Sequence, residues 1–487
     1  MRSDALVGAI DQGTTSTRFL VYDERGRVVA HAQAEHGQRH PRPGWTEQDP
    51  EEILEQTRAV IAAALRKARL TPADLAAVGL TNQRETTLAW DLASGRALTP
   101  AVVWHDTRTA GLVEKVRATG READVKRRTG LPFATYFSAV KMRWLLDETE
   151  GLRASAERGK AALGTLDSWL LRHLLDAPVH LTDPTNACRT QLADLRTSAW
   201  DPELLELFGV PAAALAEITT DPGGAAGPRA LPVRAVLGDQ HAALLGHGRV
   251  RQGEAKNTYG TGSFLLMNTG ARPVASTGLL STLGYDLGRH GRAYAVEGAV
   301  PVAGSLLRWL RDGLGVIADL EEASTLAATV DSTQGTYLVP AFSGLFSPHW
   351  RADARGVLVG LTAATGRAHV ARAALEAIAH QTADVLDAMD VEPASLRVDG
   401  GVTRSDVCMQ AQADVLGLPV SRAASRESTA LGVAFAAGLA AGVWSSAEEV
   451  RGLAGTDGEW EPRWSADRRE SERTAWRDAL SRSLGLA

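Results

Sequence analysis

The residues best suited to chemistry stand near the start of the chain. Asp11-Gln12-Gly13-Thr14-Thr15-Ser16-Thr17-Arg18 lies between two apolar runs, 5–10 and 19–22. The pattern predicts strand, tight polar turn, strand, with Asp11 at the end of the first strand. Gly13 lets a backbone approach an anion closely. The Thr and Ser hydroxyls and the turn N–H groups can then reach phosphate oxygens. Asp11 would repel a bare phosphate, but it fits if a Mg²⁺ ion lies between carboxylate and phosphate. Taken alone, the segment reads equally well as an ordinary hairpin with a polar tip.

Two more segments carry the same signature. Gly238-Asp239-Gln240 ends a predicted strand over 233–239, and Asp399-Gly400-Gly401 follows one over 395–398. A carboxylate such as Asp239 can accept the proton of an alcohol, otherwise a poor nucleophile. It could equally cap a helix. Arg84 and Glu85 are adjacent, so both reach one small ligand only from the loop after a strand over 77–81. A donor-only guanidinium beside an acceptor-only carboxylate suits a polyol, although most Arg-Glu dipeptides are surface ion pairs. The P-loop GxxxxGK[ST], a strand-linked GxGxxG and the protein-kinase signatures are absent.

These segments need large elements to position them. A chain of 487 residues is too long for one core, and two domains are expected, 1–246 and 247–487. Strands and helices alternate, which implies α/β domains. Asp49-Pro50 starts a helix, 101–104 reads as a strand, and 138–146 and 368–389 read as helices. Residues 257–268 repeat the opening pattern of Gly/Thr turn and apolar strand, suggesting a duplicated architecture. Pro222-Gly223-Gly224 through Pro228 predicts a loop. The apolar stretch 430–444 is shorter than the roughly 20 residues of a membrane span and reads as a buried helix. A net charge of −6 argues against a nucleic-acid partner. Cys188 and Cys408 form no disulfide framework, and a reducing cytoplasm is the expected setting. His31, His36 and His40 flank Pro41 and Pro43 and read as surface residues rather than a metal site.

Together these motifs resemble the carbohydrate kinases of the actin-like ATPase fold, in the branch that acts on glycerol. The resemblance is carried by residues 11–18, Pro43-Gly44-Trp45-Thr46-Glu47-Gln48-Asp49-Pro50, Thr81-Asn82-Gln83-Arg84-Glu85-Thr86-Thr87, Tyr136-Phe137-Ser138 and Gly238-Asp239-Gln240. Lys256-Asn257-Thr258-Tyr259-Gly260-Thr261-Gly262, Val339-Pro340-Ala341-Phe342-Ser343-Gly344-Leu345 and Val398-Asp399-Gly400-Gly401 complete it. It spans nearly the whole chain, and the Asn-Gln-Arg-Glu-Thr segment points to glycerol.

The resemblance implies an α/β fold of two actin-like ATPase (ribonuclease H-like) domains flanking a substrate cleft. It implies ATP-dependent phosphorylation of glycerol to sn-glycerol 3-phosphate, with Asp239 as general base, in glycerol catabolism. Arg84, Glu85, Trp104, Tyr136, Asp239, Gln240 and Phe264 would bind the acceptor. Trp104 and Phe264 would form its apolar wall, although such aromatics are ordinarily core. Thr14, Thr15, Ser16, Arg18, Thr261, Gly304, Arg308, Gly401 and Ser405 would bind the nucleotide, and Asp11 and Asp239 would face Mg²⁺. Arg308 stands where some relatives carry Gln, and Ser405 where Asn is usual, so altered nucleotide affinity or base preference is expected. The short loop 223–232 lacks the longer basic segment through which some bacterial members bind a sugar bisphosphate regulator. A homodimer or homotetramer is expected. The competing readings are a kinase of another polyol or sugar, such as a pentulose or gluconate, and a non-catalytic nucleotide-dependent scaffold or filament protein.

Overall fold

The computed structural model describes residues 5–223 and 231–487. The turn expected over 222–228 therefore lies mostly outside the described residues, as does most of the loop 223–232.

The opening motif folds as the hairpin its pattern predicts. Strands β1 (Leu6–Gln12), β2 (Ser16–Tyr22) and β3 (Val28–Glu35) form an antiparallel meander. Helix α1 (Pro50–Ala68) follows, with the Asp49 side chain accepting the N–H of Glu51 and Pro50 in its first turn. Ile53, Leu54, Val60, Ile61 and Leu65 form its buried stripe. Strand β4 (Leu75–Asn82) returns parallel to β1, and β5 (Val233–Gly238) lies parallel to β4. The first sheet thus runs β5-β4-β1-β2-β3. Residues 47–48, ahead of β4, join strands 101–102, 87–91 and 161–165, which lie between β4 and β5, in a four-stranded sheet, and the same stretch carries helix α2 (Ser138–Glu148).

The second half repeats this plan. Strands β6 (Glu254–Tyr259), β7 (Ser263–Gly270), β8 (Leu280–Asp286), β9 (Arg292–Val300), β10 (Ser395–Gly400), β11 (Val420–Ala423) and β12 (Thr456–Trp460) form a sheet ordered β8-β9-β7-β6-β10-β11-β12. Its centre has the meander of the first sheet, β6 and β7 antiparallel and β7 and β9 antiparallel, with β10 parallel to β6 and β11 parallel to β10. The weak similarity of two Gly/Thr turns in sequence is therefore a duplication of topology.

Helix α3 (Asp239–Gly246) follows β5 directly. Helices α4 (Gly304–Asp312), α5 (Arg367–Asp387) and α6 (Asp406–Leu416) share one apolar core with the second sheet. Helix α7 (Ser428–Ala441) is the apolar stretch expected to be buried, and it is. Although it comes late in the chain, it packs on β1, β4 and β5 of the first sheet and on α3. A Cβ added at Gly432 would lie 1.7 Å from the carbonyl oxygen of Ala242, and one at Gly246 would lie 1.9 Å from that of Ser428. A Cβ at Gly79 would lie 2.3 Å from the Val433 oxygen. The core around α3 and α7 takes residues from both sheets, including Ala9, Ala77, Leu266 and Tyr285.

Three local expectations need correction. The strand expected over 101–104 ends at Val102, because the Asp106 carboxylate captures the Thr46 N–H and a turn begins at Val103, leaving Trp104 outside it. Asp239 does not end a strand: it is the first residue of α3. His36 is buried, with its Nε2 3.2 Å from the Gln12 side chain and 3.2 Å from the Gly13 oxygen, whereas His31 and His40 are exposed. Cys188 and Cys408 are free and buried. No helix among the described residues is long and apolar enough to cross a membrane.

The α3–α7 contact yields a prediction. Gly432→Ala forces backbone against backbone, where no side chain can yield, and should destabilise the fold by about 1–3 kcal/mol. The thermal-unfolding midpoint checks this, and a midpoint equal to the parent's would refute it.

Candidate functional site

Arg84 and Glu85 lie in the turn after β4, where neighbouring side chains need not diverge, and Glu85 has a φ of +61°. They are buried, 3% and 2% exposed, so they are not a surface ion pair. Nor do they pair with each other. Arg84 Nη1 and Nη2 donate to the two oxygens of Glu297 at 2.7 and 3.2 Å, and its Nε lies 3.2 Å from Asp239 Oδ1. Arg189 Nε donates to Glu85 Oε1 at 2.7 Å, and its Nη2 donates to Glu297 Oε1 at 3.3 Å. Five groups thus alternate in charge across the cleft: Glu85, Arg189, Glu297, Arg84, Asp239. Burial opposes ionisation of Glu297, but Arg189 and Arg84 outweigh it and hold its carboxyl well below the usual range. Burial prevails at Asp239 and Glu85, where each carboxyl is pushed up despite its arginine. Asp239 remains reachable, with 29% of its side chain exposed.

Around this chain stand the other predicted acceptor residues. Trp104 and Tyr136 are half-buried and meet edge to face, centroids 5.4 Å apart. The Tyr136 segment is clamped by buried Lys141, whose Nζ donates to the carbonyls of Thr135 and Tyr136 at 2.8 and 2.6 Å. Gln240 follows Asp239 in α3, and its side-chain oxygen accepts from Lys256 of β6. Phe264, half-buried on β7, pairs across to Ala299 of β9.

The nucleotide candidates gather at two matching turns. In the first, Gly13 N–H donates to the Ser16 oxygen, Thr15 is exposed, and Thr14 Oγ1 accepts from the Trp104 indole at 3.0 Å, joining this turn to the acceptor side. Arg18 lies 3.7 Å from Asp11 and 2.7 Å from Glu427, yet its buried Nε has no hydrogen-bond partner among the described residues. In the second, Arg308 donates to Thr261 Oγ1 at 3.0 Å, and Gly304 packs so tightly on Gly260 that a Cβ would lie 2.5 Å from its oxygen. Gly401 faces open space. Tyr259, Gly260, Gly304, Arg308, Gly401 and Val402 line a cavity of about 250 Å³. Ser405 is absent from that lining. It is buried, its hydroxyl accepts the Cys408 N–H to cap α6, and it lies 2.9 Å from the Ser324 hydroxyl.

The donor set fits Mg²⁺. Burial, the main cause, raises the Asp11 carboxyl to about 7, Arg18 opposes this, and Glu427 and Asp239 add to it, so a cation bound beside it would favour the ionised carboxylate. Among the described residues no three His, Cys, Asp or Glu converge into a metal cage. Mg²⁺ characteristically needs only one or two carboxylates, with phosphate and water completing its shell.

Sequence reasoning missed Glu297, Arg189 and Lys256. The available signal was a lone carboxylate in the apolar run 293–300 and, for Arg189, a lone cation in the uncharged run 184–193. Such charges are almost never buried unless paired.

Comparison with known proteins agrees with this architecture. The N-terminal domain model of the FGGY family of carbohydrate kinases matches residues 6–246, and the C-terminal domain model matches residues 255–441. The glycerol kinase of Rhizorhabdus wittichii is 52% identical, covering 98% of this chain and 97% of that protein. The glycerol kinase of Saccharopolyspora erythraea is 50% identical over 98% of each. The crystal structure of Plasmodium falciparum glycerol kinase with ADP superposes with a TM-score of 0.94 at 34% identity, covering 99% of this chain and 98% of that one. Both halves match in order and relatives are half identical along almost the entire length: the chain belongs to the FGGY family of carbohydrate kinases.

Proposed function

We propose that this chain phosphorylates glycerol at a terminal hydroxyl with ATP, giving sn-glycerol 3-phosphate for glycerol catabolism in the cytoplasm. The observation that carries the reading is that Arg84 holds Asp239 at 3.2 Å, uniting two distant motifs in one cleft beside Trp104 and Tyr136. Relatives about half identical over the full length are glycerol kinases, which supports the same acceptor.

In this reading Asp239 accepts the hydroxyl proton as the new O–P bond forms, so the oxygen attacks without leaving a full positive charge. Arg84 donates to one acceptor hydroxyl while Glu85 accepts from another, which fixes the polyol's orientation. Gln240 adds a polar contact, and Trp104, Tyr136 and Phe264 shelter the carbon chain. Thr14, Thr15, Ser16 and Thr261 donate hydroxyl or turn N–H groups to phosphate oxygens, with Arg18 as a cation beside them. Gly304, Arg308 and Gly401 form the base end, and Ser405 lies outside it as the cap of α6. A Mg²⁺ ion held by Asp11, and facing Asp239, would neutralise phosphate charge. Residues 1–246 and 247–487 act as two domains, whose closure aligns donor and acceptor and excludes water. The active form is a homodimer or homotetramer. Glycerol has only six heavy atoms, so at about 1.5 kcal/mol per atom at best, selectivity must come from a small pocket whose polar groups are all engaged.

Turnover of MgATP against glycerol, dihydroxyacetone, erythritol, xylulose, ribulose and gluconate, with product identification, tests the acceptor. A strong glycerol preference is expected. Preference for a ketopentose or gluconate would discard the small-pocket reading, and turnover without acceptor dependence would discard the kinase. Asp239→Asn should lower kcat by about 10²–10⁴ with only a modest rise in the KM for ATP. Near-parental turnover would remove Asp239 from the role of base.

A further inference from the structure

We propose that Glu297 is a positioning residue for the acceptor site, the group through which the second sheet sets the guanidinium of Arg84. The inference rests on Arg84 being an acceptor contact, as proposed above. Glu297 lies on β9, in the second sheet, whereas Arg84 and Arg189 precede residue 246 in the chain. Its side chain is 1% exposed and both oxygens are engaged, Oε2 by Arg84 and Oε1 by Arg84 and Arg189. It therefore receives the two-pronged face of Arg84, leaving only Nε toward Asp239.

That division matters for chemistry. A guanidinium prefers two parallel hydrogen bonds to one carboxylate. Without Glu297, the carboxylates left near Arg84 are Glu85 and Asp239, and Asp239, the proposed base, already lies 3.2 Å from its Nε. Arg84 would turn its fork onto that group, occupying the oxygen that must take the proton and withdrawing its own donors from the acceptor. Glu297 holds the fork away from the base, so that Arg84 meets Asp239 only through Nε, at Oδ1. A structural purpose alone explains the residue poorly, because well-packed apolar side chains usually stabilise a core at least as well as a buried ionic cluster. The position of β9 is itself fixed: a Cβ at Gly298, next in sequence, would lie 2.2 Å from Val385 of α5. Arg84 is thereby referenced to the same framework that carries the nucleotide candidates Gly304 and Gly401.

Steady-state kinetics of Glu297→Gln, Arg84→Ala and the double variant decide the matter, using the acceptor that the wild-type enzyme turns over fastest. The identity of that acceptor judges the glycerol reading, and the ratio of variant to wild type judges this one. Glu297→Gln should raise the acceptor KM or lower kcat by about tenfold to a hundredfold, with the KM for MgATP near the wild-type value. Glu297→Gln should cost less in the Arg84→Ala background than in the wild type, because the part of its effect that acts through Arg84 is already gone. Unchanged acceptor kinetics, an equal loss toward MgATP, or losses that multiply in the double variant would overturn the proposal. If Glu297→Gln does not fold, Glu297→Asp decides. It retains the charge but withdraws the carboxylate by one methylene, and a wild-type acceptor KM and kcat in that variant would overturn the proposal as well.

Discussion

The structure depends on a contact between two helix backbones. Helix α3 issues from the first sheet and α7 follows β11 of the second, and they meet where Gly432 and Gly246 leave no side chain between them. Protein interiors transmit small displacements because they are close-packed. Asp239 is the first residue of α3, so the packing of α7 helps to set the position of the proposed base. A segment more than 180 residues later in the chain thereby governs the chemistry of the first half.

Against that scaffold, the cleft solves an electrostatic problem. Five ionisable groups lie in or near the interior, where an unpaired charge would cost several kcal/mol. Alternation of sign makes this tolerable: each arginine lies between two carboxylates, and the central carboxylate between two arginines. The ends of the chain are Glu85 and Asp239, and both are pushed up by burial. The well-paired member is Glu297 in the middle. The two carboxylates proposed to touch substrate are thus the incompletely compensated ones, which can gain from a hydroxyl.

Duplication explains the other half of the cleft. Each sheet begins with a hairpin whose tip is rich in Gly and Thr, and each follows with a parallel strand, so the two tips are equivalent features of one topology. They have diverged in their partners. The first tip is tied to Trp104 through Thr14, and the second to Arg308 through Thr261. The first therefore reports to the acceptor side and the second to the cavity lined by Gly304 and Gly401.

Much was legible in the sequence because its signals are local. The period and capping of α1, the Gly/Thr hairpins and the apolar α7 follow from propensity, and with the motifs around them they sufficed to identify the resemblance. Trp104 was misplaced because Asp106 ends the strand with a side-chain bond to Thr46, which no propensity encodes. His36 was misread because its loop folds back on Gln12. By itself the sequence determined which chemical groups are available and which short elements present them, since backbone sterics and hydrophobic periodicity act over a few residues. Only the tertiary structure decided which charges meet. Arg84 looks to Glu297, more than two hundred residues away, rather than to adjacent Glu85, because pairing of buried charges is settled by distances across the folded interior and not by spacing along the chain.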